Sequence, residues 1–302
     1  MAEITARQTD LSVDFAVRKH RSLWGDAWKR LISLNTARLG MAIIGILLLV
    51  AVLAPIVHDY NPKTDSNLRA RLNPPSREHL LGADNLGRDV LVRLIHGARY
   101  SLGVGIISVG IALIIGGLLG MMAGFVGGKT GNTIMRCMDI VMAFPGMLLA
   151  IAIVAVRGPG LNNTMVAIGV VSIPFYARLA RSTVLGVNAM EYITAARCVG
   201  TTNSRILFRH IFPNILSPVI VQSTLGMASA ILSAAGLGFL GLGQQPPKPE
   251  WGSMLSDCYK FLATGAWWVI IPPGVAIMLT VLGFNLLGDG LRDALDPRLR
   301  AD

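Results

Sequence analysis

The run Leu39-Gly40-Met41-Ala42-Ile43-Ile44-Gly45-Ile46-Leu47-Leu48-Leu49-Val50-Ala51-Val52-Leu53-Ala54-Pro55-Ile56-Val57 decides the fold. It carries no charge and has twelve Leu, Ile or Val positions, each favouring bilayer insertion by roughly 0.3–0.6 kcal/mol at a helix centre. Nothing soluble needs such a segment. Residues 100–128 and 140–156 repeat the pattern, and the second run is flanked by Arg136 and Arg157. Residues 164–177 continue it more weakly; a helix ending near Gly186 would let Arg178 and Arg181 snorkel to the interface. Residues 211–247 hold no charge and are read as one helix, about 215–240, followed by a Gly/Pro-rich turn. Residues 261–287 close the series, entered through Trp267 and Trp268, which suit an interfacial belt. The expected fold is therefore all-α and integral to the membrane, with six transmembrane helices.

Composition agrees. Of 302 residues, 53% are hydrophobic and 15% charged, with a mean hydropathy of +0.57, too apolar for a soluble globule of this size. The net charge of +10 is read as topological, because Lys and Arg gather in cytoplasmic loops and no nucleic-acid-binding pattern accompanies it. Residues 1–38 are polar and basic, without the layout of a cleavable signal, so the first apolar run should stay as an anchor. Six spans put both termini on one side, with seventeen Lys and Arg residues there and ten opposite, seven of those in the loop of residues 58–99. The bias favours cytoplasmic termini. The chain then divides into a cytoplasmic segment 1–38, a first span 39–57, a periplasmic loop 58–99, a five-span core 100–288 and a cytoplasmic tail 289–302.

Within the loop, Leu86, Val90, Leu91, Leu94 and Ile95 fall at helical spacing, with Asn85 as N-cap and Asp89 one turn from Arg93. This predicts an interfacial helix, part of a docking surface for an external partner, or both. In the second span Ala112, Gly116, Gly120 and Gly124 make one helical face nearly free of side chains, where another backbone can approach. Gly127-Gly128-Lys129-Thr130 mimics the end of a phosphate loop, but Ala123 stands where the first glycine is needed and a membrane helix precedes it instead of a strand. ATP, if used, must be hydrolysed by another chain. Cys137, Cys198 and Cys258 are isolated, so neither a disulfide framework nor a metal site is expected and all three are read as packing residues. His20, His58, His79, His96 and His210 are scattered without metal-ligand or catalytic spacing. The deep apolar runs hold no ionisable group, as a membrane enzyme or proton-coupled secondary transporter would require. That points to a permease whose energy comes from outside the chain.

The most informative stretch lies between spans four and five. In Glu191-Tyr192-Ile193-Thr194-Ala195-Ala196-Arg197-Cys198-Val199-Gly200, Ile193, Ala196 and Val199 or Gly200 share a helical face, and residues 201–204 are a polar breaker. A stubby helix over about residues 191–204 should project on the cytoplasmic side, either as a plain interfacial loop or as a knob that a partner grips.

This stretch resembles the EAA loop of ABC importer permeases: Glu-Ala-Ala, three residues, Gly, nine residues, then a variable pair before Leu-Pro. Ala195, Ala196, Gly200 and Pro213 fall in register, whereas Thr194 stands where the Glu is expected and Phe212 where the Leu is expected. Glu191, one turn earlier, substitutes only partly for the missing carboxylate. Residues 81–91, 97–102, 239–252 and 285–297 are similar, in order, to the dipeptide, oligopeptide and nickel permeases of that family, in particular the second permease component. The resemblance implies the type I ABC importer permease fold and a coupling helix seated in a cytoplasmic ATPase subunit, with Glu191, Thr194, Ala195, Ala196, Gly200, Arg205 and Pro213 in the coupling segment. It also implies a second, similar permease subunit, two ATPase subunits that bind ATP and Mg, and an extracytoplasmic substrate-binding protein. No cofactor is expected in this chain. Dipeptides or short oligopeptides are the expected cargo, with nickel chelates and glutathione-like peptides as alternatives. The path is expected along spans three and five, including Gln222, with Pro145 in Phe144-Pro145-Gly146 and Pro174 in Ile173-Pro174-Phe175 opening the helices or simply kinking them.

Overall fold

The computed structural model describes residues 23–57, 60–61 and 65–296. Helix α1 (Leu23–Ser33) precedes α2 (Asn35–Val57), the first long apolar helix. After the loop that follows α2 come α3 (Val90–Val126), α4 (Gly128–Met142), α5 (Gly146–Arg157), α6 (Leu161–Asn188) and the short α7 (Glu191–Cys198). One turn, α8 (Asn203–Arg205), leads through a wide π turn, Ile206–Ile211, into α9 (Phe212–Phe239). Then follow α10 (Trp251–Cys258) and α11 (Ile271–Leu295). Strands are absent among the described residues, where one isolated bridge joins Ala83 and Asp89.

Five helical segments are long and apolar enough to cross a bilayer, and α4 with α5 supplies a sixth crossing if that bent pair is counted as one. The third run, expected as one helix over 140–156, is thus broken. Pro145 takes an extended ψ of 122° at the start of α5, and the two helices meet at 86°. A proline disfavours helical backbone in the residue before it, so Phe144 ends one helix and the next starts afresh.

The loop helix expected at 86–99 is not a separate interfacial element. Asp89, not Asn85, caps it, its carboxylate accepting from the Val92 N–H at 3.0 Å, and the helix runs on through residue 126 as α3. Thirty-seven residues rise about 55 Å, well beyond a hydrocarbon core of roughly 30 Å, so the first turns of α3 stand outside the bilayer. The last span also starts later than expected. Residues 261–270 form short 3-10 turns around a left-handed Gly265, and the helix begins at Ile271 ahead of Pro272 and Pro273.

The most extensive interface joins α3 to α6, and the small-residue face makes it possible. A Cβ on Gly120 would come within 2.1 Å of the Ala177 carbonyl oxygen, and one on Gly116 within 2.5 Å of that of Ile173. The backbones touch where side chains would have held them apart. Arg178 and Arg181 do not snorkel alone: Arg178 pairs with Asp139 of α4 at 2.9 Å and Arg181 donates to the Asn132 amide oxygen at 3.2 Å. Of the cysteines, Cys258 is buried as expected of a packing residue, but Cys137 and Cys198 are exposed.

Candidate functional site: the α7 knob and the helix bases beneath it

Ile193, fully buried, is the root of α7. It enters an apolar cluster with Val184 and Val187 of α6, Ile206 and Ile211 of the π turn, and Ile215 and Val219 of α9, against which Met121 and Phe125 of α3 also pack. The knob is therefore keyed to the bases of three long helices. A second tie is polar: Asn214 donates to the Tyr192 hydroxyl at 3.3 Å and to the His210 carbonyl at 2.6 Å.

The outer edge of α7 is formed by Glu191, Thr194, Ala195 and Cys198, all exposed and three to four residues apart, so they share one face. Ala196 is half-buried and Val199 stands 81% exposed at the tip. The helix stops at a reciprocal pair of backbone bonds, Gly200 N–H to the Arg197 carbonyl and Thr201 N–H to the Ala196 carbonyl, both 3.0 Å. That pattern needs a left-handed residue between them, and Gly200 has φ +79°. Its glycine is thus demanded by the turn, while the space where a Cβ would stand is empty.

Pro213 explains the π turn. A proline two residues into α9 has no N–H and its ring would strike the carbonyl four residues back, that of Arg209. Widening the preceding turn relieves this, and the Phe212 N–H accordingly reaches the Leu207 carbonyl, five residues back. Arg205, Phe212 and Pro213 are exposed. Of the seven expected coupling residues, five lie on α7 or its C-terminal turn and two on the segment leading into the start of α9, with Thr194 offering a hydroxyl where the motif has a carboxylate.

The four expected path residues differ in exposure. Phe144 (58% exposed) and Pro145 lie at the exposed break between α4 and α5. Pro174 is buried within α6, beside the contact with α3, which fits a packing role. Gln222 is half-buried, and its carbonyl accepts from the Tyr176 hydroxyl at 3.4 Å.

Two buried polar centres around the N-terminal half of α3 escaped sequence reasoning. Asp84 accepts from Arg88 Nε at 2.7 Å, from Arg93 Nη1 at 2.5 Å and from the N–H groups of Leu86 and Arg88, while Asp257 lies 3.4 Å from Arg93 Nη2. Asp89, expected to pair with Arg93, instead holds His79 Nδ1 at 2.9 Å. The second centre is Glu250, 2% exposed, which caps α10 by accepting from the Gly252 and Ser253 N–H groups and also from the Ser101 hydroxyl of α3. Burial pushes its carboxyl above the usual carboxylate range, against the opposing pull of those three donors. Trp251 completes the lock by donating from Nε1 to the Leu94 carbonyl at 3.0 Å. Nearby, burial raises the Cys258 thiol to about 11, and an inert thiol follows. Asp84 and Arg88 fall in the stretch 81–91 and Glu250 in the stretch 239–252, while Arg93, Ser101 and Asp257 lie outside both; the i, i+4 spacing of Asp84 and Arg88 was the available signal.

Residues 116–301 match the model of the binding-protein-dependent transport system inner membrane component, and residues 22–75 match the N-terminal membrane domain of oligopeptide transport permease C. The chain belongs to this transport family. The permease is 49% identical over 280 residues to the dipeptide transport system permease protein DppC of Alkalihalophilus pseudofirmus, covering 93% of this chain and 91% of that one. It is 50% identical to the di/tripeptide permease DppC of Pseudomonas aeruginosa, over 86% of this chain and 88% of the relative. The glutathione transport system permease GsiD of Pectobacterium atrosepticum is 43% identical, over 93% of each. Its fold is that of the inward-facing MetNI methionine ABC transporter, with a TM-score of 0.56 at 19% identity, over 68% of this chain and 96% of that one. The permease is thus a multi-pass inner-membrane subunit of an ABC importer, of the type I permease fold, and such an importer works with ATPase and substrate-binding partners.

Proposed function

We propose that this permease forms half of the channel of an ATP-driven importer of dipeptides and short oligopeptides, and that α7 is its coupling helix. The observation that carries this is Ile193. A knob whose root is locked into the bases of α3, α6 and α9, and whose outer edge of small and polar side chains is exposed, suits a lever gripped from outside. ATP and Mg would be held by two partner ATPase subunits, and a second, similar permease would complete the channel. Closure of the ATPase pair would rock the helix bases between inward-facing and outward-facing states. With Thr194 in place of a carboxylate, the grip would rest on shape around Ala195 and on Arg197 and Arg205 at its rim. Both termini would be cytoplasmic. Burial of Arg88 and Arg93 against Asp84 and Asp257 supports this, because it leaves eight of the ten outer basic residues to oppose the inner seventeen.

Peptide cargo is favoured by the relatives' own substrates. A tripeptide such as glutathione is the second reading, favoured by the 43% identity to a glutathione permease. The test is reconstitution of the permease with its partner permease, ATPases and binding protein in vesicles. ATP-dependent uptake of labelled dipeptide, competed by dipeptides in excess over glutathione, is expected. Uptake that proceeds without the ATPases would overturn the reading.

A further inference from the structure

Helix α1 has three faces. Ala27 and Leu31, one turn apart, are buried at 7% and 4% exposure, and Leu31 joins a small cluster with Ala37 and Ala294, against which Leu34, Met41 and Leu291 pack. Ala37 and Met41 stand in the first turns of α2 and Leu291 and Ala294 in the last turns of α11, so α1 lies against the base of the bundle. One position further along, about 100° around the helix, Trp28 and Ile32 are 58% and 43% exposed. Another step brings the exposed Lys29 and Ser33. The apolar arc is therefore twice as wide as the bundle uses, and its unused half is flanked by polar residues.

We propose that α1 is a membrane-surface helix, with Trp28 and Ile32 entering the acyl region of the cytoplasmic leaflet and Lys29 and Arg38 facing the phosphates of acidic phospholipids. The inference rests on the reading of the N-terminus as cytoplasmic. Two observations select a lipid over a protein partner. The apolar edge precedes a span whose residues Leu39, Ile46, Leu49 and Ile56 are themselves 54%, 62%, 57% and 76% exposed, in a chain of an inner-membrane family. The flanking charge is also of the right sign: Lys29 and Arg38 are both exposed, and basic residues at an acidic surface each strengthen attachment roughly fivefold. An indole beside a β-branched residue at the junction of apolar and basic faces fits the headgroup boundary, into which such helices sink about 5–10 Å.

The test uses the assembled importer in vesicles, with Cys137→Ser and Cys198→Ser removing the exposed thiols. Trp28→Cys and, separately, Lys29→Cys carry an environment-sensitive fluorophore. The label at position 28 should be quenched by nitroxide-bearing phospholipids and shielded from iodide, and the label at 29 should show the reverse. Exchanging phosphatidylglycerol for phosphatidylcholine should weaken the lipid quenching at position 28. Iodide quenching at 28 equal to that at 29 would overturn the proposal, as would a label at 28 shielded from both quenchers, which would mean a protein cover. ATP-driven uptake measured in parallel vesicles that hold the parent importer reports the transport reading independently. In a third chain, Trp28→Phe with the label at Ile32→Cys, lipid quenching at position 32 should match that at position 28, so a misfolded Trp28→Cys variant is distinguished from a helix that never met lipid.

Discussion

Ala195 and Gly200 are both small for different reasons, and their replacement should separate the two. Ala195 is exposed on a regular helix face, so Ala195→Trp should leave thermal stability within about 0.5 kcal/mol of the parent while abolishing ATP-dependent uptake and stimulated ATPase activity. Gly200 sits at φ +79°, and Gly200→Val should lower stability by about 1–2 kcal/mol along with uptake. Unfolding curves on the two variants check the contrast. Asp84 is more demanding still, because Asp84→Asn would strand two buried guanidinium groups. A loss of about 3–5 kcal/mol is expected in thermal unfolding, with a smaller loss for Asp257→Asn, whose carboxylate is already 28% exposed. Glu250 gives a pH signature. Its folded value is raised above the ordinary 4.5, so the fold binds that proton more tightly than the unfolded chain. The stabilising contribution is complete below 4.5 and is lost as pH rises through the folded value. Glu250→Gln should flatten that part of the stability profile.

At the scale of elements, the α3 and α6 contact fixes the bundle, and Gly120→Val should separate the two helices at Ala177. A loss above roughly 3 kcal/mol and poor membrane yield are expected, whereas Gly110→Ala, which meets nothing within 4 Å, should be neutral; expression and melting of both variants check this. The spacing of Gly116, Gly120 and Gly124 made this interface readable before any coordinates, because period and residue size together leave few alternatives. Hydropathy located the spans for the same reason but not their ends. Nothing apolar marks where α3 begins, since its start is set by the Asp89 cap and by a loop folded on Asp84, polar contacts that hydropathy does not register. The break at Phe144-Pro145 was visible as a proline, but a run of apolar residues reads the same on either side of an 86° bend. The π turn was likewise implicit in Pro213, and only the backbone geometry reveals that the strain is taken up by one widened turn instead of by a break.

Across the whole molecule, the segment proposed for coupling is readable as a motif because its residues lie in one stretch of chain, whereas the buried polar centre of Asp84 joins residues 84, 88, 93 and 257 across more than half of it. Charge counting treated Arg88 and Arg93 as free outer cations, and burial beside carboxylates removes them from that balance. The resulting picture is a bundle braced by Asp84 and Glu250 near the N-terminal end of α3, with α7 as the lever of the proposed coupling. If the brace matters for transport, Asp84→Asn should slow uptake at temperatures where the variant remains folded, with ATP hydrolysis less affected; parallel uptake and ATPase assays give the ratio. The most direct measurement uses native Cys198, which is exposed on the outer edge of α7, in a Cys137→Ser chain. A membrane-impermeant maleimide should label it in inside-out vesicles stripped of the ATPase subunits, and adding those subunits back should block labelling. Labelling in intact spheroplasts, or labelling unchanged by the ATPases, would contradict the seating of α7 in a cytoplasmic motor.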